Sequence, residues 1–230
     1  MPGPQASKVD DHIKLLPFRI EDCEPAAELY ERCFENDALR LKLMPPEKRD
    51  ATDPFAERRG RTSAFQLALS LPGNHIFKVV DTGRGNKIVG AAGYFAPGGA
   101  QWALEDQIQK AGMKVHPSYF DSEMKCIVVR TVEEKRNKVL KGSWDVWELK
   151  QLFVDPEYQG RGIGKRLLKR GCELADRDGK RLYTEGVSCS KGLYKKMGYM
   201  LEDEAQYPGV VMGNGEPYKT YFMLRQTRRC

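Results

Sequence analysis

The chain has 230 residues, of which 40% are apolar and 30% charged, and its net charge is +6. That length supports one well-buried core, the balance is that of an ordinary globular protein, and no apolar run approaches the roughly 18 residues of a membrane span. The opening MPGPQASKVDD has no apolar h-region, so no secretory signal is expected, and a cytoplasmic protein without a membrane partner follows.

Residues 1–11 read as a disordered tail, with one domain over 12–230. IKLLPFRI (13–20) reads as a first strand, and Asp22 as the cap of a helix whose apolar stripe is Ala26, Leu29, Tyr30, Cys33 and Phe34. MPPEKRDATDP reads as loop, and a second helix runs from Phe55 to Leu71, stopped by Pro72-Gly73. HIFKVVD and KIVGAAGYFAP form a hairpin across TGRGN. An insert over 98–143 follows. ALEDQIQKAG in it predicts a short helix; Phe120, Met124, Ile127, Val128 and Val132 give a helical stripe, although KCIVVR also fits a strand. VWELKQLFV (146–154) is apolar over most of its length, as a central strand is. A helix with Ile163, Leu167, Leu168, Gly171, Leu174 and Ala175 comes next, then the strand RLYTEGV, the short helix KGLYKKMG and two final strands, YMLEDEAQYPGVVM and YKTYFMLRQ. The order predicts an α/β fold in one domain.

Six cysteines form no C-x-x-C and lie at no zinc-like spacing to the three histidines, so reduced, mostly core thiols are expected, with no metal. The charge is concentrated instead. Residues 159–181 hold eight basic side chains against three acidic ones, most of the chain's excess, immediately after a glycine-rich turn. A basic run opening from such a turn suits a polyanionic ligand. Nucleic acid is excluded, because its binding needs basic residues spread and interleaved with aromatics.

The turn lies in QLFVDPEYQGRGIGKRLLKR (151–170). A P-loop would need glycine at Gln159 and Ser or Thr at Arg166, and a dinucleotide fingerprint would need glycine at Lys165 or Leu167; both fail. What remains is Gln-x-x-Gly-x-Gly, here Gln159, Gly160, Arg161, Gly162, Ile163 and Gly164. It resembles the signature of the GNAT acyltransferase superfamily. GLYKKMGY (192–199) is similar to the short helix that follows the next strand in that family, with Tyr194 at its tyrosine and Gly198-Tyr199 at its close. The resemblance is strongest over 146–200.

The resemblance implies a mixed, partly splayed sheet flanked by helices, and acetyl-CoA as co-substrate. It places the pantetheine arm along the main chain of Leu152, Phe153 and Val154. The pyrophosphate falls at the N–H groups of the turn from Gln159 and Gly160 through Lys165, where glycine allows close approach and the helix dipole favours negative charge. One departure is GVSCSKG, where many relatives carry asparagine and this chain has Ser188 and Ser190. Acyl transfer to an amine needs a base and an acid. Tyr194 is the candidate acid, protonated at neutral pH, and Glu148 the candidate base, which strict two-residue alternation would put on the face of Leu152 and Val154. Cys189 is not expected to serve as an acyl-carrying nucleophile, since direct transfer needs none. The function expected is N-acetylation of a small-molecule primary amine by a monomer or homodimer; the alternatives are a protein or peptide acceptor, or a non-catalytic acyl-CoA-binding module. The acceptor site is expected among residues 24–71, the 98–143 insert and a 205–218 loop.

Overall fold

The computed structural model describes residues 11–98 and 116–227. Seven strands form one sheet in the order β1-β2-β3-β4-β5-β7-β6. They are β1 (Ile13–Pro17), β2 (Asn74–Asp81), β3 (Lys87–Phe95), β4 (Val146–Val154), β5 (Arg181–Val187), β6 (Tyr199–Val211) and β7 (Pro217–Arg225). The β4–β5 pair is parallel and every other pair antiparallel. The helices are α1 (Cys23–Cys33), α2 (Ala38–Leu43), α3 (Ala56–Ser70), α4 (Ser122–Leu140), α5 (Ile163–Arg177) and α6 (Ser188–Lys196). This is the mixed α/β architecture the sequence predicts, with helices on both faces.

On one face α5 buries Ile163, Leu167, Leu168, Cys172, Leu174 and Ala175 against β3, β4 and β5, at about 1.5–3 kcal/mol for each fully buried Leu or Ile. It lies close to the sheet because residue 171 is glycine; a Cβ there would run into the Tyr94 ring. The Tyr94 hydroxyl donates to the Leu167 carbonyl at 2.9 Å. On the other face α1 and α3 pack Ala26, Ala27, Leu29 and Phe65 on Ile76, Ala91 and Phe153. Beside them α4 sets Met124 and Leu140 on Val146, Tyr183 and Phe222.

Four expectations change. Asp22 does precede α1, but its carboxylate makes no cap bond to that helix; it accepts from the Arg19 N–H at 2.7 Å and pairs with Lys78 at 2.5 Å. The six-residue α2 was not anticipated; the Asp37 carboxylate caps it, accepting from the Arg40 N–H at 2.9 Å. Of the two readings of KCIVVR the helical stripe holds, and only the strand alternative falls, since the segment lies wholly in helix. The 205–218 stretch is mostly strand, and the turn spans only 212–216. Pro208 and Gly209 sit within the predicted strand, in an irregularity of β6 between Gln206 and Val211, with Gly209 at φ 67°. The predicted helix over 103–112 and the 1–10 tail lie outside the described residues. Among the described residues no helix is long and apolar enough to cross a membrane.

Candidate active site

The site forms where β4 and β5 part. They pair at Val146–Arg181, Trp147–Leu182, Glu148–Tyr183 and Leu149–Thr184, and no further. The Thr184 hydroxyl closes the last rung, donating to the Leu149 carbonyl at 3.2 Å. From Lys150 to Val154 the strand keeps β3 on one side and leaves the other edge open toward β5. The ladder with β3 also slips here: Gly93 faces Gln151 and Tyr94 faces Leu149, so Lys150 is the extra residue of a bulge.

The bulge reverses the alternation. Trp147 and Leu149 before it and Leu152 and Val154 after it all pack on the α5 face, while Val146 and Phe153 face the opposite side. Glu148 therefore shares its face with Phe153, not with Leu152 and Val154 as strict alternation implies.

At the end of β4 the chain is pinned. Buried Asp155 pairs with Arg32 of α1 at 3.0 Å and Lys87 of β3 at 3.1 Å. Buried Tyr158 donates to Asp81 at 2.8 Å. The Gln159 amide donates to the Val154 carbonyl at 3.2 Å and folds the turn back onto the strand. Gly160 and Gly162 then adopt φ 76° and 80°, a conformation that costs most other residues roughly 1–2 kcal/mol. A Cβ on either would meet nothing within 4 Å, so backbone conformation, not crowding, calls for glycine. Gly162 caps α5 with no side-chain bond, leaving the first N–H groups of the helix for an anion. Gly164 is different: its Cβ would stand 3.3 Å from Leu193 and 3.9 Å from Leu152, so it lets α6, α5 and β4 converge. Ile163 is core, and Arg161 and Lys165 are exposed beside the turn. The Arg161 guanidinium lies 4.7 Å from the Tyr158 ring centroid.

Tyr194 reaches the parting point from α6. It is buried, its ring centroid 5.4 Å from that of Tyr199, and it rests on Gly186 of β5. Burial pushes its phenol above the ordinary tyrosine value, partly offset by hydrogen bonding with Thr184 and Ser190. Thr184 is the β5 residue of the last β4–β5 rung. Ser190 itself donates to the Val187 carbonyl at 2.8 Å.

Glu148 lies on the opposite face of the sheet, 2% exposed. Arg136 of α4 stands 3.7 Å from it and Lys150 3.9 Å. Arg136 also binds Glu185 of β5, from Nε at 2.7 Å and from its terminal nitrogen at 2.6 Å, and the Tyr183 hydroxyl donates to the same carboxylate at 3.0 Å. Burial acts to lower the Arg136 pKa, but Glu185 and then Glu148 outweigh it and raise it. Sequence reasoning missed Arg136 and Glu185, though a signal existed. Met124, Val128, Val132, Arg136 and Leu140 recur every four residues, with a charge inside an apolar stripe, and Tyr183, Glu185 and Val187 alternate onto one face of β5.

Two clefts open on the α1–α3 face. One, of about 260 Å³, abuts the bulge and is lined by Tyr30, Arg61, Phe65, Asn74, Lys150 and Gln151, among others. The second, of about 240 Å³, runs on past Asp37, Arg40, Glu57 and Phe120 to Tyr218. Tyr30 and Arg61 line both. Arg40 and Glu57 neutralise each other through two bonds of 2.7 and 2.6 Å.

The sheet is thus mixed and splits at its one parallel pair, with a glycine-rich helix start at the split. The family model for the acetyltransferase (GNAT) domain matches residues 121–201, a stretch that takes in α4, β4, the glycine turn, α5, β5 and α6 but not the α1–β3 part that lines most of the clefts. That stretch is about a third of the chain, and the described residues as a whole share the fold of solved GNAT acetyltransferases. An uncharacterized N-acetyltransferase of Methanocaldococcus jannaschii is 37% identical over 59 residues, 24% of this chain and 26% of the relative, so the match spans about a quarter of that protein. Similar solved structures include an arylalkylamine N-acetyltransferase from Aedes aegypti (TM-score 0.62, 16% identity, 94% of this chain and 99% of that one). Another is a histone acetyltransferase and related acetyltransferase from Corynebacterium glutamicum (0.58, 18%, 95% and 98%). A third is the ribosomal-protein-S18-alanine N-acetyltransferase of Escherichia coli (0.52, 12%, 95% and 96%).

Proposed function

We propose that this protein transfers an acetyl group from acetyl-CoA directly to a primary amine of a small molecule. The observation that carries the reading is the open edge of β4 beyond the Leu149–Thr184 rung, with an anion-ready helix start at one end and a buried tyrosine hydroxyl at the other. Acetyl-CoA supplies the activated acetyl thioester. The main chain of Leu152, Phe153 and Val154 aligns the pantetheine arm as an added strand would. The N–H groups from Gly160 to Lys165, with Arg161 and Lys165 beside them, hold the phosphates; Gln159 keeps the turn in place.

The two faces divide the proton work. Tyr194, on the α5 face, gives its proton to the departing sulfur; a phenol pushed above its ordinary value stays protonated through the neutral range. Glu148, on the cleft face, takes the proton of the acceptor amine as nitrogen bonds to the acetyl carbon and the carbon–sulfur bond breaks. Arg136 holds Glu148 and Glu185 on either side of the split. The neighbours named above act on arylalkylamines and on a ribosomal-protein alanine, so likeness of fold leaves the acceptor to the chemistry of the clefts. Their volumes lie below the roughly 300–1,000 Å³ of drug-sized ligand sites, which favours a small amine over a folded protein.

The test is Tyr194→Phe, which keeps the ring and removes one hydroxyl. We expect kcat to fall by about 10- to 1,000-fold, the scale of a lost acid–base group, with CoA affinity within about twofold. Unchanged turnover would remove Tyr194 from the mechanism, and thermal stabilisation by ATP or NAD equal to that by CoA would remove the cofactor assignment.

A further inference from the structure

The cleft beside the bulge carries an inference about the acceptor, one that rests on the acetyl-transfer reading. Its lining contains two cations, Arg61 and Lys150, two amides, Asn74 and Gln151, and otherwise apolar and aromatic surface; no Asp or Glu lines it. A cleft for a plain amine or a polyamine needs carboxylates against the ammonium charges that lie away from the reacting nitrogen. Here the charge has the opposite sign.

Arg61 is half-buried, its guanidinium carbon 4.0 Å from the centroid of the Tyr30 ring. Its neighbours on α3 are engaged with carboxylates: Arg58 with Glu31 and Glu28, Arg59 with Asp53. Among the described residues no carboxylate stands within ion-pair distance of Arg61. Stacking on the aromatic face leaves the in-plane N–H donors of a guanidinium available for a carboxylate, which they match bidentately. Lys150, 3.9 Å from the buried Glu148 that lies behind it and outside the cleft lining, adds a second, partly compensated positive charge at the bulge, next to the open edge where the acetyl group is proposed to lie.

We propose that the acceptor is an amino carboxylate, a free amino acid with an apolar or aromatic side chain. Its carboxylate pairs with Arg61, Lys150 reinforces that end, and its side chain rests among Phe65, Ile76 and Phe95. The amine and the carboxylate of such a molecule are separated by one carbon, which lets one cleft of about 260 Å³ hold the anion while the amine reaches the split. A peptide N-terminus has its first carboxyl group tied up in an amide and loses this contact.

The experiment is calorimetric titration of the protein, with and without CoA, using the proteinogenic amino acids and the decarboxylated amine of each. At least one apolar or aromatic amino acid is expected to bind tenfold or more tightly than its decarboxylated amine. Arg61→Ala is expected to abolish that preference while leaving affinity for the amine within about twofold, and Arg61→Lys to restore part of it. Equal or tighter binding of every decarboxylated amine in the wild-type protein overturns the inference, as does a preference that survives Arg61→Ala. Because binding is read directly, the two readings fail separately: an amino acid that binds through Arg61 and is never acetylated would overturn its role as acceptor and leave only the Arg61 carboxylate site standing, whereas acetylation of amines with no preference for amino acids would overturn the Arg61 site and leave acetyl transfer standing.

Discussion

Gly186→Ala isolates the position of the Tyr194 hydroxyl. A Cβ on residue 186 would stand 2.5 Å from Cε2 and 3.0 Å from Cδ2 of the Tyr194 ring, whereas carbon–carbon contacts settle at roughly 3.5–4.0 Å. The ring must therefore retreat by about 1 Å, and Tyr199, itself buried, sits behind it. Overpacking of this kind costs about 1–3 kcal/mol. At about 2–4 °C per kcal/mol for a domain of this size, Tm falls by about 2–12 °C. A reacting group misplaced by about 1 Å costs on the order of 100-fold, so kcat is expected to drop by about 10- to 100-fold. CoA affinity is expected to hold within about twofold, because the glycine turn and β4 are untouched. Steady-state kinetics, calorimetry with CoA and a thermal melt measure the three. Gly171→Ala is the control: its Cβ would stand 2.1 Å from the Tyr94 ring in the same core, a deeper overlap that should lower Tm at least as much while leaving Tyr194 in place, so kcat should fall less than in Gly186→Ala. Equal loss of kcat in both variants, or full turnover in Gly186→Ala, would refute the claim that the hydroxyl's position limits the reaction.

Gly162→Val should abolish stabilisation by CoA, because the φ of 80° at the α5 cap is barred to a β-branched residue; an undiminished shift in a melt with CoA would place the phosphates elsewhere. Glu148→Gln should lower kcat/KM most at low pH and recover in part as pH rises, since more acceptor amine then arrives deprotonated; a loss flat across pH would make Glu148 a binding group instead. The alkaline limb of kcat should lie above the ordinary tyrosine value of about 10: burial raises the Tyr194 pKa, the active acid is the protonated form, and so its loss is deferred to higher pH. Burial pushes the Cys23 thiol up to about 11 and Cys33 to about 12, so iodoacetamide at pH 8 should label exposed Cys126 first and spare both; early labelling of Cys33 would contradict its packing.

The central strand, the glycine turn and the short helix that carries Tyr194 were legible because each is written in contiguous residues: an apolar run, glycines at fixed offsets, a helix closed by Gly198. The bulge at Lys150 was not, because it is a property of how β4 lies against β3 and not of β4 itself; it moved Glu148 to the other face. The Arg136–Glu148–Glu185 cluster joins three elements across nearly 50 residues of chain, a pairing that spacing along one element does not encode. YMLEDEAQYPGVVM read as a strand, and burial of Tyr207 and Val210 against α4 keeps β6 running through Pro208 and Gly209, so the 205–218 loop shrinks to the turn at 212–216. Arg61 is not singled out by the sequence, because what distinguishes it is the Tyr30 ring and the cleft that the fold places around it.

The most direct measurement is the fate of both halves of acetyl-CoA in the presence of a primary amine, with the N-acetyl product identified by mass spectrometry and the freed thiol titrated. The account predicts one amide formed for each thiol released, both lost in Gly162→Val and both slowed about 10- to 1,000-fold in Tyr194→Phe. Thiol released without amide, or CoA bound with neither product formed, would contradict it.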